Sequence, residues 1–141
     1  MTANILIVED EGLVGLELSY MLEDLGHHVV GVAADAEECE SLLDPAIDMA
    51  LVDLNLADGA TGLEIGRKLA CEHGVSVVYT TANPTMLGEG VEGTVGVLPK
   101  PYAPDAMAAA VRYALAMREG CPAPAPRRLR VFPAQARRAY A

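Results

Sequence analysis

Nowhere in the 141 residues do apolar side chains run on for the ~20 positions that a helical membrane span requires. The N-terminus, Met1-Thr2-Ala3-Asn4, passes straight into an apolar run without a basic segment ahead of it, so no secretory signal is read there. Cysteine is scarce: Cys39, Cys71 and Cys121 are odd in number, far apart and form no C-x-x-C pair. That excludes a disulfide framework or zinc knuckle and makes a cytoplasmic location the expectation. Basic residues are also few where they would matter. All 20 acidic residues fall within positions 1–120 beside only Arg67, Lys68, Lys100, Arg112 and Arg118. A body this acidic lacks the clustered Lys and Arg that contact with a phosphate backbone needs, so the folded part is not expected to bind nucleic acid. Residues 121–141 reverse the sign, with five arginines and no acid.

What is present is the balance of a packed core, 52% hydrophobic and 21% charged, in a length that suits one domain with a short extension. Asn4-Ile5-Leu6-Ile7-Val8 is a continuous apolar run of the kind buried on both faces of a parallel sheet. Leu13, Leu16, Leu18, Met21, Leu22 and Leu25 then recur at helical spacing before Gly26. The alternation continues along the chain. Strands are predicted over 28–33, 48–53, 75–80 and 94–98, and helices over 36–43, 62–73 and 103–118. Between strands four and five, Asn83 to Gly93 carries Pro84 and three glycines, so a helix there is expected to be short and marginal, and the segment mobile. Strands alternating with helices imply right-handed crossovers into one open parallel sheet, whose ligands bind beyond the carboxyl ends of the strands.

Those strand ends carry a particular set of side chains. Glu9 and Asp10 follow strand one, Asp53 ends strand three, Thr81 follows strand four and Lys100 follows strand five. Three carboxylates brought to one edge repel, and a hard dication relieves that repulsion; Mg²⁺, bound by carboxylates and water, suits the set. Phosphoryl transfer needs an in-line nucleophile and positive charge on the equatorial oxygens. Asp53 is the candidate nucleophile, Lys100 the mobile cation, Thr81 a hydroxyl donor, and the carbonyl of Asn55 a further metal ligand. Taken singly, each is also explained as a solvated loop residue. Five such residues at four strand ends argue otherwise.

The segments "ILIVEDEG", "ALVDLNLADG", "VYTTAN" and "VLPKPY" resemble the receiver domain of bacterial two-component response regulators over about residues 3–119. The resemblance implies a flavodoxin-like, doubly wound α/β fold. Its five parallel strands run in the order 2-1-3-4-5 with helices on both faces. It implies phosphorylation of Asp53 by a phosphohistidine of a sensor histidine kinase or histidine phosphotransfer protein, and signalling to a downstream protein target. Glu9 and Asp10 match the acidic metal-binding pair, Thr81 the switch hydroxyl and Lys100 the phosphate-pairing lysine. Lys100-Pro101 matches a cis peptide, and Asn55 and Asn83 the positions that modulate the lifetime of the acyl phosphate.

The sequence departs from that pattern in three places. Val97 stands where the family usually has an aromatic residue, three before the lysine, so Tyr79 or the 83–93 segment is the expected carrier of the switch. The loop from Leu54 to Thr61 is one residue longer than usual, with Ala57 where a proline is common. Residues 121–141 are too few for an effector domain, leaving a stand-alone receiver over 1–120 and a Pro/Ala/Arg-rich tail. That tail reads as disorder, or as a docking segment that uses Leu129, Val131 and Phe132 as anchors on a partner, on a second copy in a homodimer, or on its own acidic body.

Two other readings compete. A small α/β phosphohydrolase would use Asp10 as nucleophile, but usually needs an aspartate where this chain has Gly12, and a substrate cap. A receiver-like binding module would never be phosphorylated; the missing aromatic favours it and the complete acidic set speaks against it. His27 and His28 read as solvent-facing turn residues.

Overall fold

The computed structural model describes residues 2–56, 59, 61–121 and 123–133. The apolar run Asn4–Val8 forms β1, and α1 follows at Gly12–Asp24. β2 is His28–Ala33, α2 Ala36–Leu42, β3 Met49–Asp53 and α3 Gly62–His73. β4 covers Ser76–Thr81, β5 Gly96–Pro99 and α4 Pro104–Arg118. The sheet order is β2-β1-β3-β4-β5-β6, parallel through its first five strands.

The sixth strand corrects the five-stranded expectation. Arg130–Val131 forms β6 and pairs antiparallel with β5, Gly96 facing Val131 and Val97 facing Arg130. Two residues are too short a run to show any period, and they lie in a Pro- and Arg-rich stretch, which is why pattern alone did not mark them. Residues 129–132 thus lie on the body of their own chain, while residues 134–141 fall outside the described residues.

The middle strands behave as continuous apolar runs should. Ile5, Leu6 and Ile7 are wholly buried, as are Met49, Val52, Val77 and Val78. Alternate residues feed two cores. Leu6, Val8, Ala50, Val52, Val77, Tyr79 and Val97 face α2 and α3, together with Ile65 and Leu69. Ile5, Ile7, Met49, Leu51, Val78 and Leu98 face α1 and α4, together with Leu18, Leu22, Met107, Ala110 and Val111. The helices are therefore divided between the two faces, as in a doubly wound sheet.

Local signals set the element ends. Asp35 caps α2, its side chain accepting from the Glu38 N–H at 2.9 Å. Gly74 ends α3 in the left-handed region at φ 66°. Pro104 opens α4 at its first turn, where its missing N–H costs nothing.

Local contacts account for a shifted strand start, for the short turn expected after β4, and for one histidine less exposed than expected. β5 begins at Gly96, because Thr94 is held in a turn: its N–H and its Oγ1 both donate to the Val91 carbonyl, at 3.1 and 2.7 Å. The marginal helix after β4 is a single 3₁₀ turn, Pro84–Leu87. His27 is half-buried rather than solvent-facing, its Nδ1 accepting the Ala3 N–H at 3.1 Å, and burial lowers its pKa. No helix among the described residues is long and apolar enough to cross a membrane.

Candidate functional site

The carboxyl ends of β1, β3 and β5 bring the acidic residues and the lysine together. Glu9, Asp10 and Asp53 each offer a carboxylate oxygen, and these three atoms lie within 4.8 Å of one another. Glu9 and Asp53 are buried, 3% and 6% exposed. Lys100 reaches in from the end of β5: its Nζ donates to Asp53 Oδ2 at 3.0 Å and stands 3.5 Å from Glu9 Oε1. The two buried carboxylates thus share one ammonium.

Backbone groups fix the carboxylates. The Asn55 N–H donates to Asp53 Oδ1 at 3.1 Å, and the Glu11 N–H to Glu9 Oε2 at 3.3 Å. The Glu9 N–H donates to the Ala33 carbonyl at 2.8 Å, so the end of β2 also positions the pair after β1. Sequence reasoning did not find this contribution of β2. A backbone carbonyl carries no residue signature, and only the pairing of β1 with β2 reveals it.

The electrostatics record the crowding. Burial pushes the Glu9 carboxyl up to about 7, helped by its hydrogen bond to Asp53 and that residue's charge, and opposed by the Glu11 N–H and by Lys100. Burial alone would lower the Lys100 pKa. The hydrogen bond to Asp53 and the charges of Glu9 and Asp53 outweigh it, and the ammonium is held more firmly than an ordinary lysine.

Thr81 ends β4 fully buried, its Oγ1 accepting the Asn83 N–H at 3.1 Å. Its carbonyl accepts the Lys100 N–H at 2.8 Å, which ties the ends of β4 and β5 together. Lys100-Pro101 is a cis peptide. Asn55 and Asn83 are exposed at the rim. Ala57 lies outside the described residues.

The remaining modulating candidates sit deeper, on the α3 face of the sheet. Tyr79 is wholly buried, and its hydroxyl donates to the Leu63 carbonyl at 2.7 Å. Gly66 passes beneath its ring so closely that a Cβ there would lie 2.5 Å from ring carbons. Val97 is also wholly buried, in a cluster that includes Tyr79, Leu87, Val91 and Phe132. An apolar groove of about 380 Å³ lies between α2 and α3, lined by Cys39, Leu43, Ile65, Lys68 and Leu69 among others. None of its lining residues belongs to the acidic cluster. Burial pushes the Cys39 thiol in it up to about 11, aided by the charge of Glu40, which disfavours the thiolate.

The arrangement provides a buried carboxylate, a neighbouring pair of acids able to share a cation with it, and an ammonium within bonding distance. Set beside known proteins, residues 5–112 match the response regulator receiver domain family. Over 119 residues the chain is 34% identical to the phyllosphere-induced regulator PhyR of Methylorubrum extorquens, covering 82% of this chain and 44% of that protein. Among solved structures it is similar to the response regulator PhyR from Brucella abortus, with a TM-score of 0.76 and 30% identity over 85% of this chain and 50% of that one. It is also similar to the anti-anti-sigma factor PhyR from Bartonella quintana, with a TM-score of 0.74 and 27% identity over 85% and 50%. The chain spans about half the length of each of these relatives.

Proposed function

The chain belongs to the response regulator receiver domain family, and from that premise we propose that it accepts a phosphoryl group on Asp53 and signals through protein contacts. The observation that carries this reading is Lys100 Nζ at 3.0 Å from Asp53 Oδ2, inside a cluster whose three carboxylate oxygens lie within 4.8 Å of one another. One ammonium against three carboxylates leaves an excess of negative charge in a largely buried site. A divalent oxygen-liganded ion fits that donor set.

Glu9, Asp10 and Asp53 would hold Mg²⁺, with the Asn55 carbonyl as a further ligand. When bound, the ion supplies positive charge to the oxygens of the transferring phosphoryl group. Asp53 attacks the phosphorus of a phosphohistidine through a carboxylate oxygen. The P–N bond breaks, its electron pair returns to the imidazole, which takes up a proton, and Asp53 becomes a mixed anhydride. Lys100 transfers its hydrogen bond from Asp53 Oδ2 to a phosphoryl oxygen. Thr81, at the neighbouring strand end, donates a hydrogen bond from its hydroxyl to another. The phosphoryl group stays on the protein's own Asp53 until the protein loses it to water by self-dephosphorylation, so the protein is a switch rather than a turnover enzyme.

The donor is a sensor histidine kinase or a histidine phosphotransfer protein. In support, α1 starts at Gly12, two residues beyond Asp10, and leaves Leu13, Leu16 and Tyr20 exposed along one side. Large apolar side chains exposed in a row beside a reactive group suit a partner helix that delivers its histidine to Asp53. By analogy with the anti-anti-sigma factor of Bartonella quintana, the output partner is a protein that itself controls another. The domain boundary near residue 120 and a cytoplasmic location belong to the same proposal.

The test is intact mass after incubation with acetyl phosphate or a phosphohistidine donor and Mg²⁺. One phosphoryl group is expected on the wild type and none on Asp53→Asn. An unchanged wild-type mass with both donors would overturn the reading in favour of an inert binding module. Phosphate-ester turnover surviving Asp53→Ala would favour a hydrolase instead.

A further inference from the structure

The tail contains the chain's one phenylalanine, and the fold is shaped around it. Phe132 and Leu129 are buried, 2% and 5% exposed, on opposite sides of the sheet: Phe132 joins the cluster of Val97, Leu87 and Val91, and Leu129 that of Leu98 and Val95. The Phe132 N–H donates to the Val95 carbonyl at 3.0 Å. Arg130, between the two anchors, spreads its guanidinium over two carbonyls of the segment after β4. Nη1 donates to Gly88 at 2.7 Å and Nη2 to Pro84 at 3.0 Å, with the Phe132 ring 5.5 Å from the guanidinium carbon.

Two glycines on the body match this segment. At Gly96 the three atoms nearest an added Cβ are the carbonyl oxygen and carbon of Arg130 and the Cα of Val131, all in β6. At Gly90, with φ 126°, the three nearest are all atoms of Phe132, at 2.6 to 3.0 Å. Both positions lack a side chain where the tail approaches, and Gly96, unlike Gly90, has no positive φ that would call for glycine on its own account.

We propose that the β5 edge and the 84–91 segment form a strand-accepting site, held by Leu129–Phe132 while Asp53 is unmodified and vacated when it is phosphorylated. The occupant is this chain's own tail. The partner the vacated edge accepts is an extended peptide segment with an apolar–Arg–apolar–aromatic pattern. The gating half of the proposal rests on the reading of Asp53 given above.

The coupling follows a short line of contacts. Lys100 Nζ bonds Asp53, the Lys100 N–H bonds the Thr81 carbonyl, and the Asn83 N–H bonds Thr81 Oγ1. Pro84, next along, presents one of the two carbonyls that hold Arg130. When the Thr81 hydroxyl turns to a phosphoryl oxygen it gives up the Asn83 N–H, and the 84–88 carbonyls lose their placement. The Arg130 clamp then opens, and with it a strand of only two residues. Val97 leaves this cluster without an aromatic from β5, and the tail supplies one.

Two experiments on the full chain test the site and the gating separately. Gly96→Ala should raise amide exchange over residues 130–132 about tenfold while β1 and β3 stay protected. A labelled peptide of residues 126–133 should bind the Arg130→Ala/Phe132→Ala variant saturably and leave the unmodified wild type unbound. Unchanged exchange in Gly96→Ala, or no binding to the double variant, or equal binding to the wild type, overturns the strand-accepting site. For the gating, wild type shown by intact mass to carry the phosphoryl group should gain both peptide binding and the faster exchange at 130–132. The mass change without those gains overturns the gating. No mass change removes the Asp53 reading and the gating with it, while the first experiment still decides the site.

Discussion

The backbone N–H of Lys100 donates to the carbonyl of Thr81 at 2.8 Å, so the ends of β4 and β5 move as one piece. The side chain of the same lysine reaches Asp53 on β3. Lys100 therefore links Asp53 to two strand ends, one through a charge and the other through a backbone hydrogen bond.

Lys100→Met removes the one ammonium from a site holding two buried carboxylates. Losing one partner of a buried pair costs ~3–5 kcal/mol, and less where water still reaches it. Lys100 keeps a quarter of its side-chain surface exposed, so a loss of about 1–2 kcal/mol in urea unfolding is expected in EDTA. Mg²⁺ should recover most of it. A variant as stable as wild type in EDTA would show that the ammonium does not offset the carboxylate charge.

The raised Glu9 pKa sets a pH dependence. In the unfolded chain its carboxyl titrates near 4.5, and in the folded protein at about 7. A raised folded pKa gives stability that is whole below pH 4.5 and lost as pH rises through 7. In EDTA, the thermal midpoint should fall across that window. Mg²⁺ needs the deprotonated carboxylate, so its stabilisation should be larger at pH 8 than at pH 5.5. Equal Mg²⁺ effects at both values would place the ion away from Glu9.

Gly62 opens α3 directly against the backbone that follows the proposed acceptor. A Cβ on it would collide with the Asp53 carbonyl oxygen and lie 2.8 Å from Leu54 Cα. Backbone on both sides leaves nothing flexible to yield. Gly62→Ala should therefore cost about 3 kcal/mol and slow phosphoryl uptake, because relief requires α3 or the Asp53 main chain to shift. Gly12→Ala, with open space around the added methyl, is the control for the first turn of a helix. A Gly62→Ala stability within error of wild type would contradict this packing.

Tyr79→Phe deletes the 2.7 Å bond to the Leu63 carbonyl and keeps the ring in its place over Gly66. A loss of about 1 kcal/mol is expected from one buried hydrogen bond. Phosphoryl uptake should be unchanged, since the hydroxyl is committed to α3. A large fall in uptake, read by intact mass over time, would instead assign Tyr79 a part in the switch.

Much of the molecule is legible because it is locally encoded. Mostly apolar runs of strand length, the central ones apolar enough to need cover on both faces, alternate with helical patterns, and that alternation implies the parallel sheet. The same logic placed Glu9, Asp10, Asp53, Thr81 and Lys100 at one edge, because strands that run the same way end at the same side. Tertiary structure alone decided how those groups are held and what closes the far edge. Neither the Ala33 carbonyl under the Glu9 N–H nor the Arg130 clamp on Pro84 and Gly88 has a spacing to read, since each joins a backbone carbonyl to a residue distant in the chain. The tail shows the limit most plainly. Leu129, Arg130, Val131 and Phe132 have too short a run to specify a strand, and they are held by pairing with β5, where Gly96 leaves room, and by the Arg130 hydrogen bonds. Strand propensity is a property of neighbours along the chain, whereas an edge that fits is a property of surfaces, and surfaces exist only after folding.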